Sequence, residues 1–264
     1  MKHDKNLEAM QRLLHIMDEL REKCPWDSKQ TMESLRCNTI EETYELAGAV
    51  LSGDMEEIRK ELGDLLLHIV FYAKIGSEKG AFDFADVANG ICEKLILRHP
   101  HVFGGTSVRN DAEIRSNWEK IKLSEGRASV LEGIPEALPA MVKAIRLQEK
   151  AQGIGFDWSE KEDGWDKLKE EIGEFEEELE NGSAENKESE FGDLLFALIK
   201  CARNYHIQAE NALEKTNRKF KARFQTMEEL IRNDGKQLKD MPLPEMEAYY
   251  YKAKESLNQE KHTP

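Results

Sequence analysis

Two stretches decide the fold: Glu41-Glu42-Thr43-Tyr44-Glu45, followed by Glu61-Leu62-Gly63-Asp64-Leu65-Leu66, and a later pair, Glu170-Glu171-Ile172-Gly173-Glu174 and Glu190-Phe191-Gly192-Asp193-Leu194-Leu195. Every matched position of the second set lies 129 residues after its counterpart, and Gly53 and Gly182 keep the same offset. Five acids, two glycines and a Leu-Leu pair repeating without a gap mark a duplication rather than the chance of an acidic chain.

Residues three apart share one face of a helix, so Glu42 projects with Glu45 and Glu61 with Asp64. The turn Ser52-Gly53-Asp54 makes the two helices antiparallel neighbours, and the two acidic pairs can then converge. In the second copy Glu171, Glu174, Glu190 and Asp193 take the same places.

Helical periodicity extends outward from these segments. Leu7, Met10, Leu13, Leu14, Met17 and Leu20 form an apolar stripe that Cys24-Pro25 ends. Helices are expected at about Thr31–Leu51, Met55–Ile75, Phe84–Leu97 and Asp111–Leu123. Later ones are expected at Ala140–Ala151, Gly164–Leu179, Glu185–Tyr205, Gln208–Arg232 and Pro244–Leu257. No series of alternating strands is visible, so the class is all-α, with two tandem helical bundles. Gly126, Gly133, Pro135 and Pro139 interrupt the periodicity, which divides the chain into domains at 1–125 and 140–264 joined by a linker at 126–139.

The net charge of −14 excludes general binding to nucleic acid, which needs phosphate-neutralising Lys and Arg. It leaves room for a small phosphorylated ligand held through a metal ion. The longest apolar runs, such as Leu65-Leu66-Leu67, are far too short to span a bilayer, and no signal-peptide core follows the N-terminus. A cytoplasmic protein is the expectation. Cys24, Cys37, Cys92 and Cys201 have neither CxxC nor zinc-ligand spacing and read as free thiols.

Four converging carboxylates repel one another unless a cation sits among them. Oxygen donors without His or Cys suit Mg²⁺, with Mn²⁺ as a substitute. A di-iron bundle would carry Glu-x-x-His, and none of the seven histidines has a Glu three residues before it. Magnesium keeps positions for water and phosphate oxygens, which points to phosphate chemistry. For a lone ExxE the ordinary solvated acidic face is the better reading; ungapped repetition on two paired helices reverses that judgement.

The pattern EExxE, a turn, then ExxD resembles that of the all-α NTP pyrophosphatases, specifically the MazG family, and both halves match it. Cys24-Pro25-Trp26-Asp27, Arg98-His99-Pro100-His101-Val102-Phe103 and Gly155-Phe156-Asp157-Trp158 add to a resemblance that covers nearly the whole chain. It implies magnesium-dependent hydrolysis of ribo- and deoxyribonucleoside triphosphates to monophosphate and pyrophosphate. It also implies a homodimer built through helical bundles, and a role in nucleotide house-cleaning or stress-response nucleotide control.

The two copies differ in their cations. Lys219 and Arg223, four apart on one helix face, resemble the family's K-F-x-x-R segment, and Lys167 lies one turn before Glu171. Lys169 precedes that motif and Glu170 opens it, Asn186-Lys187-Glu188-Ser189 precedes Glu190 by one turn, and Tyr250 stands where relatives place a base-stacking aromatic. The offset puts Asn38 opposite Lys167 and Ile40 opposite Lys169, while Lys94 and Arg98 repeat the basic pair only after a shift of four residues. The second copy is therefore the expected main catalytic domain, as is usual in the family, with Glu171, Glu174, Glu190 and Asp193 as its catalytic and metal-holding acids. In the first copy Glu42, Glu45, Glu61 and Asp64 are expected to hold metal.

Plainer readings stand beside these. Lys219 and Arg223 can pair with surface acids such as Glu214, and Tyr250 can simply pack its helix. His99 and His101 read as structural around Pro100, and Trp26, Trp158 and Trp165 as core or capping anchors. Two other functions fit the motif less fully: a narrow-specificity dUTP-type or phosphoribosyl-ATP pyrophosphohydrolase, and a non-enzymatic helical interaction protein.

Overall fold

The computed structural model describes residues 2–108, 110, 113, 114, 117, 118, 121, 126, 128–156 and 161–260. Within them the chain is helical, without a strand. The helices are α1 (Lys2–Lys23), α2 (Met32–Ser52), α3 (Met55–Glu78), α4 (Phe84–Arg98) and α5 (Pro100–Phe103). They continue with α6 (Ala140–Gly153), α7 (Lys161–Asn181), α8 (Ala184–Asn204), α9 (Ala209–Asn233) and α10 (Leu243–Glu260). The chain falls into two compact units, Met1–Asp111 and Ala112–Pro264. The expected helix Asp111–Leu123 lies largely outside the described residues, as does Trp158.

In the first unit, α2 begins with a reciprocal cap: Ser34 N–H donates to Thr31 Oγ1 at 3.1 Å, and Thr31 N–H donates to Ser34 Oγ at 2.9 Å. It ends at Gly53, whose φ of 75° lies in the left-handed region that a Cβ disfavours. Asp54 follows at once as the cap of α3, accepting from the amides of Glu56 at 3.0 Å and Glu57 at 3.2 Å. Two residues thus close one helix and open the next, which lays α2 and α3 against each other. Met17, Leu35, Val70, Phe71 and Ile75 form the core where α1 meets this pair. Full burial of each such side chain contributes about 1.5–3 kcal/mol. Arg21 fastens the end of α1, donating to Glu78 through Nε at 2.9 Å and to the carbonyls of Asp27 and Gln30.

The second unit repeats the helix pair as α7 and α8, with Ser183 in the capping place of Asp54 and accepting from Asn186 N–H at 3.1 Å. Gly182 is kept for a different reason from Gly53. Its φ is not positive, but a Cβ there would come within 2.7 Å of the Glu178 carbonyl oxygen. Leu168, Ala197 and Cys201 fill the seam between α7 and α8, and Met227, Ile231, Met241, Tyr249 and Ala253 bind α9 to α10. The Tyr249 hydroxyl donates to Asp234, and the ammonium groups of Lys236 and Lys252 lie 5.3 and 4.9 Å from its ring centre.

Lys150 on α6 is 5% exposed and donates to the carbonyls of Val130 at 2.8 Å and Glu132 at 2.9 Å. The Gly- and Pro-rich stretch read as a linker is thereby pinned to α6. His99 and Pro100 sit at a junction of two helices rather than in a helix-ending loop. His99 closes α4, its Nδ1 lies 2.6 Å from Leu95 O, and Pro100 opens the one-turn α5. Trp26 and Trp165 are no core anchors: they are 59% and 49% exposed, since each lies on the solvent side of its segment.

Candidate functional site

In each unit the paired helices bring three carboxylates together. Oxygens of Glu42 and Glu45 on α2 and Glu61 on α3 lie within 4.8 Å of one another, and those of Glu171 and Glu174 on α7 and Glu190 on α8 do the same. Asp64 and Asp193 stand outside these triads. Each is still close enough to raise a neighbour's proton affinity, Asp64 that of Glu42 and Asp193 that of Glu190.

The electrostatics of crowding are visible in the proton affinities. The carboxyl of Glu42 is held above the ordinary carboxylate range by burial, then by repulsion from Asp64 and Glu45. Glu61 is raised by burial, then by Glu45, Glu42 and Asp64, and Glu190 by burial, then by Asp193, Glu174 and Glu171. In the first triad Glu61 is 9% exposed, and its buried Oε2 has no hydrogen-bond partner among the described residues. A desolvated carboxylate oxygen facing two other acids is costly unless a cation or a proton joins it. With oxygen as the only donor atom, both triads are compatible with a divalent cation.

The second triad already holds a positive charge. Lys167 Nζ donates to Glu171 Oε1 at 2.8 Å and to Glu170 Oε1 at 2.9 Å, and these bonds raise the lysine's proton affinity. Lys169 is turned elsewhere, its ammonium 2.9 Å from Asp166 Oδ1. Asn186, Lys187, Glu188 and Ser189 occupy the opening turns of α8, where the Asn186 amide donates to Ser183 Oγ and the Lys187 amide to the Ser183 carbonyl.

On α9 the Glu214 carboxylate is taken by Arg218, with Nε at 2.9 Å, so the surface pairing considered for Lys219 and Arg223 is already satisfied by another residue. Among the described residues neither Lys219 nor Arg223 forms an ion pair. Between them Phe220 packs its ring 6.0 Å from that of Tyr250 and 5.9 Å from that of Phe224. Tyr250 therefore lies beside the basic segment, half-buried against the α9–α10 core.

A polar cluster outside the repeated acidic motif joins α2 to α3 one turn from the first triad. Thr39 Oγ1 lies 3.0 Å from Leu35 O, 2.7 Å from His68 Nδ1 and 2.8 Å from Tyr72 OH. The hydroxyl has one hydrogen, and Leu35 O can only accept it. Tyr72 and His68 Nδ1–H then both donate to Thr39. The repeat offset held the signal: Thr39, His68 and Tyr72 correspond to Leu168, Ala197 and Cys201, the apolar seam of the second unit.

Comparison with known proteins places these helices in a family. The model of the MazG nucleotide pyrophosphohydrolase domain matches twice, at residues 30–103 and 161–227, each time spanning one carboxylate pair of helices. The chain is 39% identical over 257 residues to the nucleoside triphosphate pyrophosphohydrolase of Escherichia coli K12, covering 94% of this chain and 98% of that protein. It is 42% identical over 247 residues to the nucleoside triphosphate pyrophosphohydrolase/pyrophosphatase MazG of Thermotoga maritima, covering 92% and 94%. A Bacillus subtilis protein, YabN, is 44% identical over 237 residues, which make up 88% of this chain and 48% of that one. With both copies of the motif matched and relatives aligned nearly end to end, the chain belongs to the MazG nucleotide pyrophosphohydrolase family.

Proposed function

We propose that the chain hydrolyses nucleoside triphosphates, ribo- and deoxyribo-, to the monophosphate and pyrophosphate, with the second unit as its main catalytic centre. One observation carries this reading: a carboxylate triad on neighbouring helices, repeated in a chain whose relatives bear that activity in their names. Glu171, Glu174, Glu190 and Asp193 are the residues to hold Mg²⁺, or Mn²⁺ in its place, and Glu42, Glu45, Glu61 and Asp64 their counterparts. When bound, the ion neutralises charge on the phosphate oxygens.

The chain's own groups do the rest. Lys219 and Arg223 take the triphosphate tail and stabilise charge as it develops on the phosphoryl oxygens. Lys167 adds a third cation from α7. The half-buried Tyr250 offers a ring for the base, with Lys169, Glu170, Asn186, Lys187, Glu188 and Ser189 bordering the nucleotide. A carboxylate of the acidic set orients the attacking water for in-line displacement.

The exposed stripes Val87, Ile91 and Leu95 on α4, and Phe191, Leu195 and Leu198 on α8, support self-association into a homodimer. No helix among the described residues is long and apolar enough to cross a membrane, in keeping with the cytoplasmic placement we propose. The repeat is read as copies at 1–125 and 140–264 with a join at 126–139.

The test is pyrophosphate release from a panel of ribo- and deoxyribonucleoside triphosphates, with Mg²⁺ and with a chelator. Release from several substrates, lost on chelation, is the expected result. Turnover of a single substrate would favour the narrow-specificity reading, and no release at all would sink the catalytic one.

A further inference from the structure

Lys167 separates the two copies more sharply than any other residue near the acids. Its ammonium bridges Glu170 and Glu171 at 2.9 and 2.8 Å, and Glu171, 8% exposed, is the buried member of the second triad. The offset puts Asn38, an uncharged residue, at the matching position of the first copy. There the buried Glu61 Oε2 has no partner among the described residues. One triad thus carries an internal counter-ion on its most buried acid, and the other has a desolvated oxygen left for an external one.

We propose that Lys167 is a resident counter-ion which a divalent cation must displace from Glu171, so that the second copy takes up metal together with nucleotide while the first takes it up alone. The proposal rests on the reading of the triads as metal sites. An ammonium 2.8 Å from Glu171 Oε1 and a divalent ion on the same carboxylate repel each other strongly, so metal entering alone does so against that charge and the charge-assisted bond that holds it. A triphosphate changes that balance. The lysine is about a third exposed and has a flexible four-carbon stem, so it can turn from the carboxylate to a phosphate oxygen. Phosphate then takes the ammonium as the metal takes the carboxylate, and each ligand raises the affinity for the other by the same factor. In the first copy Asn38 competes for nothing, and metal binding there is independent of nucleotide.

The test is equilibrium binding of Mn²⁺ alone to the full-length chain, followed by the free-ion electron paramagnetic resonance signal. The wild type is expected to show one tight site, lost in Glu61→Gln and kept in Glu190→Gln. Lys167→Gln should tighten a second site by about tenfold or more, the scale of one hydrogen bond to a charged group, and Lys167→Arg should not. Asn38→Lys, a change at an exposed position, should weaken the first site by a similar factor. A non-hydrolysable triphosphate should tighten the second site in the wild type and do so much less in Lys167→Gln.

Unchanged Mn²⁺ binding in both Lys167→Gln and Asn38→Lys would overturn the counter-ion proposal while leaving the metal sites standing. Binding unaffected by Glu61→Gln and Glu190→Gln alike would overturn the metal reading, and the proposal with it.

Discussion

His68 Nδ1 lies 2.7 Å from Thr39 Oγ1, tying α3 to α2 one helical turn beyond Asp64 and one turn before Glu42. His68 is 8% exposed, so the bond is made out of water, and it shares its acceptor with the Tyr72 hydroxyl. The second unit fills the corresponding places with an apolar seam. The duplicated acids therefore stand on two chemically different floors.

Removing one partner from that polar floor leaves the others unsatisfied, so changes at the three positions should not be additive. His68→Ala leaves Thr39 short of a donor and opens a void, and is expected to destabilise by roughly 2–4 kcal/mol. Tyr72→Phe should cost about 0.5–1.5 kcal/mol. The triple variant Thr39→Leu, His68→Ala, Tyr72→Cys, which copies the second unit, should be less destabilised than its three single changes added together. Urea unfolding followed by circular dichroism measures the wild type, the four single variants and the triple.

Glu171→Gln and Asp193→Asn should each lower kcat for pyrophosphate release by about 10²-fold or more, the range seen when a preorganised charge is removed at a reacting centre. The same changes at Glu42 and Asp64 should have a much smaller effect if the second unit carries turnover. Circular dichroism should show unchanged helicity in all four. Equal losses from both sets of variants would contradict the assignment of the second unit as the main centre.

The pH dependence of stability follows from Glu61. Its carboxyl is raised in the folded protein, first by burial and then by Glu45, Glu42 and Asp64. The folded state then binds a proton that the unfolded state has already released, so stability falls as pH rises from the ordinary carboxylate value through the raised one. Thermal melts in chelator should show a falling Tm for the wild type across that window. The fall should be shallower in Glu61→Gln, which should also melt higher than the wild type at neutral pH. Added Mg²⁺ should raise the wild-type Tm and leave that of Glu61→Gln nearly unchanged.

Lys219→Ala and Arg223→Ala should raise KM or lower kcat so that kcat/KM falls by about 10-fold to 10²-fold each. Since Glu214 is held by Arg218, neither change breaks an ion pair among the described residues. Thermal stability is therefore expected to stay within about 0.5 kcal/mol of wild type. A large stability loss would return both residues to a structural role.

The duplication and the helices around it were legible because they rest on local physics. Acid spacing fixes a helix face, and Thr31, Gly53, Asp54 and Ser183 cap as their chemistry dictates. The convergence of Glu42, Glu45 and Glu61 was readable from spacing and turn length alone. That the oxygens of Asp64 and Asp193 lie beyond the 4.8 Å that groups each triad was not, because such distances depend on how the two helices pack. The engagement of Lys167 by Glu171 also escaped a reading that aimed the lysine at phosphate, since in the free protein the nearest anion wins. The Thr39–His68–Tyr72 cluster joins residues 29 and 33 apart across two helices, and no local pattern announces it.

Gly53 and Gly182 show what the repeat conceals. The letter is the same and the offset is kept, yet one glycine answers to a dihedral angle and the other to the crowding of a neighbouring carbonyl. Asparagine, which tolerates the left-handed region, is an admissible successor at position 53. At position 182 even the smallest added carbon meets backbone. The two halves are therefore open to different mutational futures, and a shared alignment column here records common descent rather than a common constraint.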